Sequence, residues 1–102
     1  MIDEDPLSRV LHVDLSRRRF WIADRRKLFE RFLGGTGVAI NLLNEECPKN
    51  ADPLSPENPI VFAVGPLTGV FPIASKTVAM FKSPHIGYLG ESHAGGRSAI
   101  SI

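Results

Sequence analysis

Residues 8 to 15 alternate along the chain, with Leu11, Val13 and Leu15 on one side of the repeat and Val10, His12 and Asp14 on the other. A period of two is the mark of a β-strand. Ser16-Arg17-Arg18 supplies a turn and Arg19-Phe20-Trp21-Ile22 a return strand. The pattern predicts a hairpin, although its turn lacks the favoured Asn-Gly or Asp-Gly pair. The period then lengthens. Leu28, Phe29, Phe32 and Leu33 recur at helical spacing behind Asp24, which can cap a helix N-terminus, and Gly34-Gly35 ends that helix. A second helix is predicted from about Thr36 to Glu46, with Val38, Ala39, Leu42 and Leu43 inward and Pro48 closing it.

Residues 47 to 59 read as a loop. Ile60 to Val64 is a continuous apolar run of strand length, which predicts a strand buried on both faces. Residues 65 to 75 form a second loop rich in proline and glycine, and Thr77-Val78-Ala79-Met80-Phe81 a further strand. Ile86 to Leu89 reads as another short strand leading into a loop that holds His93. The expected class is α+β.

A chain of 102 residues makes one domain with a modest core. A net charge of +1 removes any global electrostatic case for nucleic acid. No apolar run approaches the ~20 residues needed to span a bilayer, so no membrane partner is expected. The acidic start Met1-Ile2-Asp3-Glu4-Asp5 has no apolar stretch behind it, which argues against a secretory signal and for the cytoplasm. Cys47 is the single cysteine, so an intrachain disulfide or a multi-cysteine cluster site is excluded.

Two dense motifs stand out. One runs Asp52-Pro53-Leu54-Ser55-Pro56-Glu57-Asn58, through the apolar Ile60–Val64, to Gly65-Pro66-Leu67-Thr68-Gly69. The other is Lys82-Ser83-Pro84 followed by Gly90-Glu91-Ser92-His93-Ala94-Gly95-Gly96. Together with Arg9-Val10-Leu11-His12-Val13-Asp14-Leu15 and Phe32-Leu33-Gly34-Gly35-Thr36-Gly37, they closely resemble the N-terminal domain of the tungsten- or molybdenum-pterin aldehyde:ferredoxin oxidoreductases. The likeness covers nearly the whole chain, in order and at matching spacing.

The resemblance implies a partial two-sheet, mainly antiparallel domain with an N-terminal hairpin and two short consecutive helices. It implies that residues 1–102 are the N-terminal, pterin-binding portion of a longer enzyme, truncated where Ser98-Ala99-Ile100-Ser101-Ile102 begins a helix. Such an enzyme oxidises aldehydes to carboxylates at a tungsten or molybdenum centre held by two pterins, and passes electrons through a 4Fe-4S cluster to ferredoxin. The cluster cysteines and acid–base residues belong to later parts of the family's chain, so this polypeptide is expected to be inactive alone. The expected partners are the remaining domains, ferredoxin, an aldehyde and a second copy of the chain.

The family's phosphate site maps onto Lys76, His93, Gly95 and Gly96. Paired glycines let backbone approach a ligand, and a helix starting there would add N–H donors. Lys76 stands where the family commonly has arginine; it keeps the charge and loses the bidentate fork. His93 replaces an asparagine-type residue that in the family lies beside a magnesium ion bridging the pterin phosphates; a metal that takes the backbone carbonyl tolerates the change, whereas one that takes a side-chain amide oxygen finds imidazole a poor substitute.

Other readings fail on context. Leu33-Gly34-Gly35-Thr36-Gly37-Val38-Ala39 lacks the third glycine of a dinucleotide fingerprint and follows a helical pattern, not a strand. Ser92-His93-Ala94 lacks the glycine of a hydrolase elbow. Arg17-Arg18-Arg19 and Arg25-Arg26-Lys27 read as a solvated face, diluted by Asp14, Asp24 and Glu30, with Phe20 and Trp21 expected in the core. Their functional alternative is a non-catalytic interaction module with a basic hairpin and helix surface. Cys47, His12 and His85 are isolated, with no second ligand at metal spacing.

Overall fold

The computed structural model describes residues 8–70, 72 and 74–102. The acidic start, Phe71 and Ile73 lie outside the described residues. The architecture is α+β with two antiparallel sheets. Strands β1 (Arg9–Asp14) and β2 (Arg19–Asp24) form the predicted hairpin, with Leu11 opposite Ile22 and Val13 opposite Phe20. Asp14 secures the turn by accepting the Ser16 and Arg17 amides at 3.1 and 3.2 Å. A side-chain Asx turn thus replaces the missing glycine pair.

Helices α1 (Arg26–Phe32) and α2 (Gly35–Glu46) follow consecutively. Asp24 acts one residue earlier than a standard cap, its Oδ1 accepting the Arg26 amide at 3.0 Å, while Arg25 holds the cap position. Leu33 does not extend the apolar face of α1. It closes the helix in the left-handed region at φ 62°, and it is exposed. Gly37 explains how the two helices meet so closely, because a Cβ there would stand 3.2 Å from the Cβ of Phe32. The glycine cluster is a packing device at a helix junction.

The second sheet has the order β3-β4-β5, from β3 (Val61–Val64), β4 (Thr77–Lys82) and β5 (Leu89–Ala94). One face of it packs on α2 around Ala39, Leu43, Val78 and Met80, with Ile40, Cys47, Val61 and Ala63 at the margin. This is the core that the inward positions of α2 anticipated. At the other face, helix α3 (Ser98–Ser101) buries Ala99 and sets Ser98 Oγ 3.3 Å from Thr77 Oγ1.

Three expectations need correction. The apolar run 60–64 is not buried on both faces: Ile60 and Phe62 are each 60% exposed, because α2 packs on the opposite face of the sheet and the single-turn α3 meets theirs only at the Thr77 end. The short strand expected at 86–89 is a turn, and the region read as the His93 loop is the strand β5. Ser83 donates its amide to Tyr88 O at 2.7 Å and Gly87 donates to Ser83 O at 2.8 Å, so the chain reverses before Leu89. Gly90 sits within a strand because Phe81 covers it; a Cβ there would come within 2.7 Å of the ring. Finally, Phe20 and Trp21 are not core residues, being 72% and 44% exposed. Trp21 stacks instead on His12, ring centroids 5.1 Å apart and planes 2° from parallel.

Candidate functional site

The β4–β5 ladder positions the site. Thr77 pairs with Ala94 and Val78 with His93, so the residues just beyond, Lys76 and Gly95, are brought side by side. A Cβ built on Gly95 would lie 4.0 Å from the Lys76 ammonium, and no other atom outside its chain neighbours comes as near. Lys76 is exposed and has no ion pair among the described residues. Gly96 has φ 114°, a conformation that side-chain-bearing residues rarely adopt. An amine and an open stretch of glycine backbone therefore face a common space that any branched side chain at position 95 would fill.

The donor set differs from the expectation in one respect. No helix begins at Gly95 or Gly96; α3 begins at Ser98, with Arg97 at its cap, and makes a single turn. So short a helix has almost no aligned dipole, and charge must come from side chains. Arg97 follows the glycines directly, is exposed and has no ion pair among the described residues. It is a cation that the motif reading passed over, and a basic residue adjoining the paired glycines is the signal that could have found it.

His93 lies on β5 next to this space, on the same face as Gly95 by strand alternation. Its Nε2 is 3.5 Å from Glu91 Oε2. Among the described residues no group of three or more histidine, cysteine, aspartate or glutamate side chains is arranged to hold a metal.

Lys76 also borders a shallow cleft of about 340 Å³ lined by Gly65, Pro66, Leu67, Thr68, Ala74 and Ser75. The helix junction shapes its wall. A Cβ on Gly34 would stand 3.0 Å from Val64 O and 3.8 Å from the Pro66 ring, so that glycine lets the 65–68 loop lie against the start of α2. The glycine-bearing segments near 65 and 95 thus both border Lys76, while the one near 34 backs the 65–68 loop, and sequence spacing gave no sign that 34 and 65 belong together.

No helix among the described residues is long and apolar enough to cross a membrane. The family model for the aldehyde ferredoxin oxidoreductase N-terminal domain matches residues 10–102. The chain is 41% identical over 71 residues to a tungsten-containing aldehyde ferredoxin oxidoreductase of Pyrococcus furiosus, covering 69% of this chain and 12% of that protein. It is 37% identical over 90 residues to the Thermococcus kodakarensis enzyme of the same name, covering 86% and 15%. A third relative is the WOR-like subunit of an aliphatic sulfonate oxidoreductase from Pyrococcus furiosus, 34% identical over 80 residues, covering 74% and 13%. The chain therefore spans between 12% and 15% of the length of these relatives. With the family match running from the first strand through the Lys76–Gly95 ladder to α3, the chain belongs to the aldehyde ferredoxin oxidoreductase N-terminal domain family.

Proposed function

We propose that this chain is the N-terminal, cofactor-holding portion of an oxidoreductase that converts aldehydes to carboxylates with ferredoxin as electron acceptor. Its share of the work is one phosphate cradle for a tungsten- or molybdenum-pterin. The observation that carries this reading is the approach of the Lys76 ammonium to 4.0 Å from the vacant Cβ position of Gly95. A phosphate needs convergent donors, and a cation beside Cβ-free amides provides them. Lys76 supplies charge, Gly95 and Gly96 supply backbone N–H groups at close range, and Arg97 extends the positive field.

When bound, the metal-pterin centre supplies the redox chemistry, and the protein supplies orientation and charge. This chain's residues anchor and neutralise the phosphate tail; they move no proton and touch no aldehyde. Imidazole is a poor donor for hard Mg²⁺ and His93 Nε2 stands 3.5 Å from Glu91 Oε2, so no magnesium role is assigned to the His93 side chain. The cradle does not depend on it. The 4Fe-4S cluster, the acid–base residues and the ferredoxin contact are assigned to the further domains of a family-length protein acting in the cytoplasm. A substrate-independent role fits the relatives, since one sharing this region is named for an aliphatic sulfonate and others for an aldehyde.

The test is a titration of the isotopically labelled chain with inorganic phosphate and pyrophosphate, read by amide and lysine-amine NMR. Shifts at Gly95, Gly96 and Lys76 are expected. Gly95→Val should abolish them, because the branched side chain fills the space facing the amine, and position 95 has no left-handed φ to strain. Lys76→Ala should weaken binding less, since the amides remain. In a family-length protein the same Gly95→Val change should lower pterin and tungsten content. Unchanged shifts and full cofactor loading with Gly95→Val would sink the assignment.

A further inference from the structure

Acidic side chains are almost missing from the second half of the chain. Beyond Glu57 the only one is Glu91, against Lys76, Lys82 and Arg97. Glu91 stands 3.5 Å from His93 Nε2. The Lys82 amine is taken up by the Ala51 and Lys49 carbonyls, at 2.6 and 3.2 Å. Lys76 and Arg97 are exposed, and among the described residues neither has an ion pair or a side-chain hydrogen bond.

Thr77 ties these two cations to one place. Its backbone pairs with Ala94, the last residue of β5. Its hydroxyl lies 3.3 Å from the hydroxyl of Ser98, the first residue of α3. Residues 95–97 are therefore a three-residue loop with both ends fastened to Thr77, and Lys76 is the next residue in the chain. Thr77 is only 6% exposed, so little water competes for its hydroxyl. Ile100 gives α3 a second seat, with its Cγ1 4.0 Å from the Cβ position of Gly69. Arg97 itself has helical angles, φ −76° and ψ −18°, and its carbonyl accepts the Ile100 amide at 3.0 Å. Its backbone is held while its side chain is uncommitted. Two Cα–Cα steps, at most about 7.6 Å, separate it from Gly95, which is within reach of an arginine side chain. The single turn of α3 offers no dipole worth using; its part is to fix the end of the loop.

Two like charges gathered around open glycine backbone repel each other, and an anion between them turns that repulsion into attraction. Lys76 is a point charge, whereas a guanidinium fork matches two oxygens of one phosphate. We propose that Arg97 is a phosphate-binding residue of this site, and that Thr77 and Ser98 are positioning residues that hold it there. The proposal rests on the phosphate-cradle reading and adds to it the forked donor that Lys76 cannot supply.

The test is a titration of the labelled whole chain with inorganic phosphate, read by NMR at the Gly95 and Gly96 amides and at the Arg97 Nε–H. All three signals should move with one Kd. Arg97→Gln should raise that Kd about three- to fivefold. Thr77→Val, which keeps the side-chain shape and removes the hydroxyl, should raise it about two- to threefold and suppress the Arg97 Nε–H shift; Thr77→Ser should restore both. Ser98→Ala removes the same contact from an exposed residue and keeps the test decisive if Thr77→Val unfolds. Gly95 and Gly96 shifts with a silent Arg97 Nε–H, and an unchanged Kd in Arg97→Gln, would overturn this inference and leave the cradle standing. Parent-like binding by both Thr77→Val and Ser98→Ala would overturn the positioning role. A parent chain in which phosphate moves neither glycine amide would overturn the cradle and this inference with it.

Discussion

Asn58 is where a single side chain holds most of a loop. Its Nδ2 donates to Pro53 O at 2.8 Å and to Lys82 O at 2.9 Å, and its Oδ1 accepts the Lys82 amide at 3.1 Å. The side chain thus acts as an extra rung beside the end of β4, clamping the loop that precedes β3. Lys82 adds to the clamp through its amine, which donates to Ala51 O at 2.6 Å and Lys49 O at 3.2 Å. Asn58→Ala removes three hydrogen bonds, each worth a net ~1 kcal/mol. Asn58 is only half-buried and water can reach some of the freed groups, so the expected loss is about 2–3 kcal/mol. Asn58→Asp keeps the volume and the acceptor for the Lys82 amide. It turns both donors into nothing and sets a carboxylate oxygen against two carbonyls, so it should cost as much as alanine or more. Urea unfolding followed by far-UV circular dichroism measures both. For a domain of this size a loss of this order lowers the Tm by roughly 10 °C or more. Asp52→Ala is the control. It removes one exposed contact, the Leu54 amide at 3.0 Å, and should cost under ~1 kcal/mol. If both Asn58 variants unfold within about 0.5 kcal/mol of the parent, the clamp does not exist as described.

Two more outcomes follow from the same geometry. Gly90→Ala should cost about 1–3 kcal/mol, because its Cβ would meet the Phe81 ring at 2.7 Å and Ser83 Cβ at 3.0 Å; Gly65→Ala, with nothing within 4 Å, should cost far less, and equal urea midpoints for the two would refute the packing argument. The bidentate hydrogen bond from Arg25 holds the Glu45 carboxyl below its ordinary range, so its contribution is complete above that range and fades as pH falls through the lowered folded value. Glu45→Gln should flatten the acid side of the stability–pH curve between neutrality and about pH 3 by less than ~1 kcal/mol, since the pair is solvent-screened; an unchanged curve would show that the pair contributes nothing.

Much of the local structure was legible in advance, because it depends on short-range rules. Period-two alternation set the hairpin, helical spacing set α1 and α2, and the inward positions Val38, Ala39, Leu42 and Leu43 are all buried. Family likeness singled out Lys76 and Gly95, which the sheet brings together although nineteen positions separate them. Local signals misled where a neighbour decides. Gly90 and Ser92 look like loop residues, yet β5 forms because β4 lies alongside and Phe81 fills the space a side chain would need.

What the sequence alone determined, then, is that β1 to β4 are strands and α1 and α2 helices, and which loops carry glycine at constrained positions. Backbone propensity and periodicity act within a few residues of one another. Which face of each strand is covered was decided only by tertiary structure. Alternation in β1 shows that two faces differ, but it does not say which one meets α2. Polar contacts to Glu45 and Glu46 turned the hairpin's apolar face outward, and α2 on one face with only the single-turn α3 at one end of the other left Phe62 exposed on a strand whose composition suggested full burial. The approach of Gly34 to the loop that borders Lys76 is of the same kind, since close approach between distant segments is a property of packing and leaves no period in the chain.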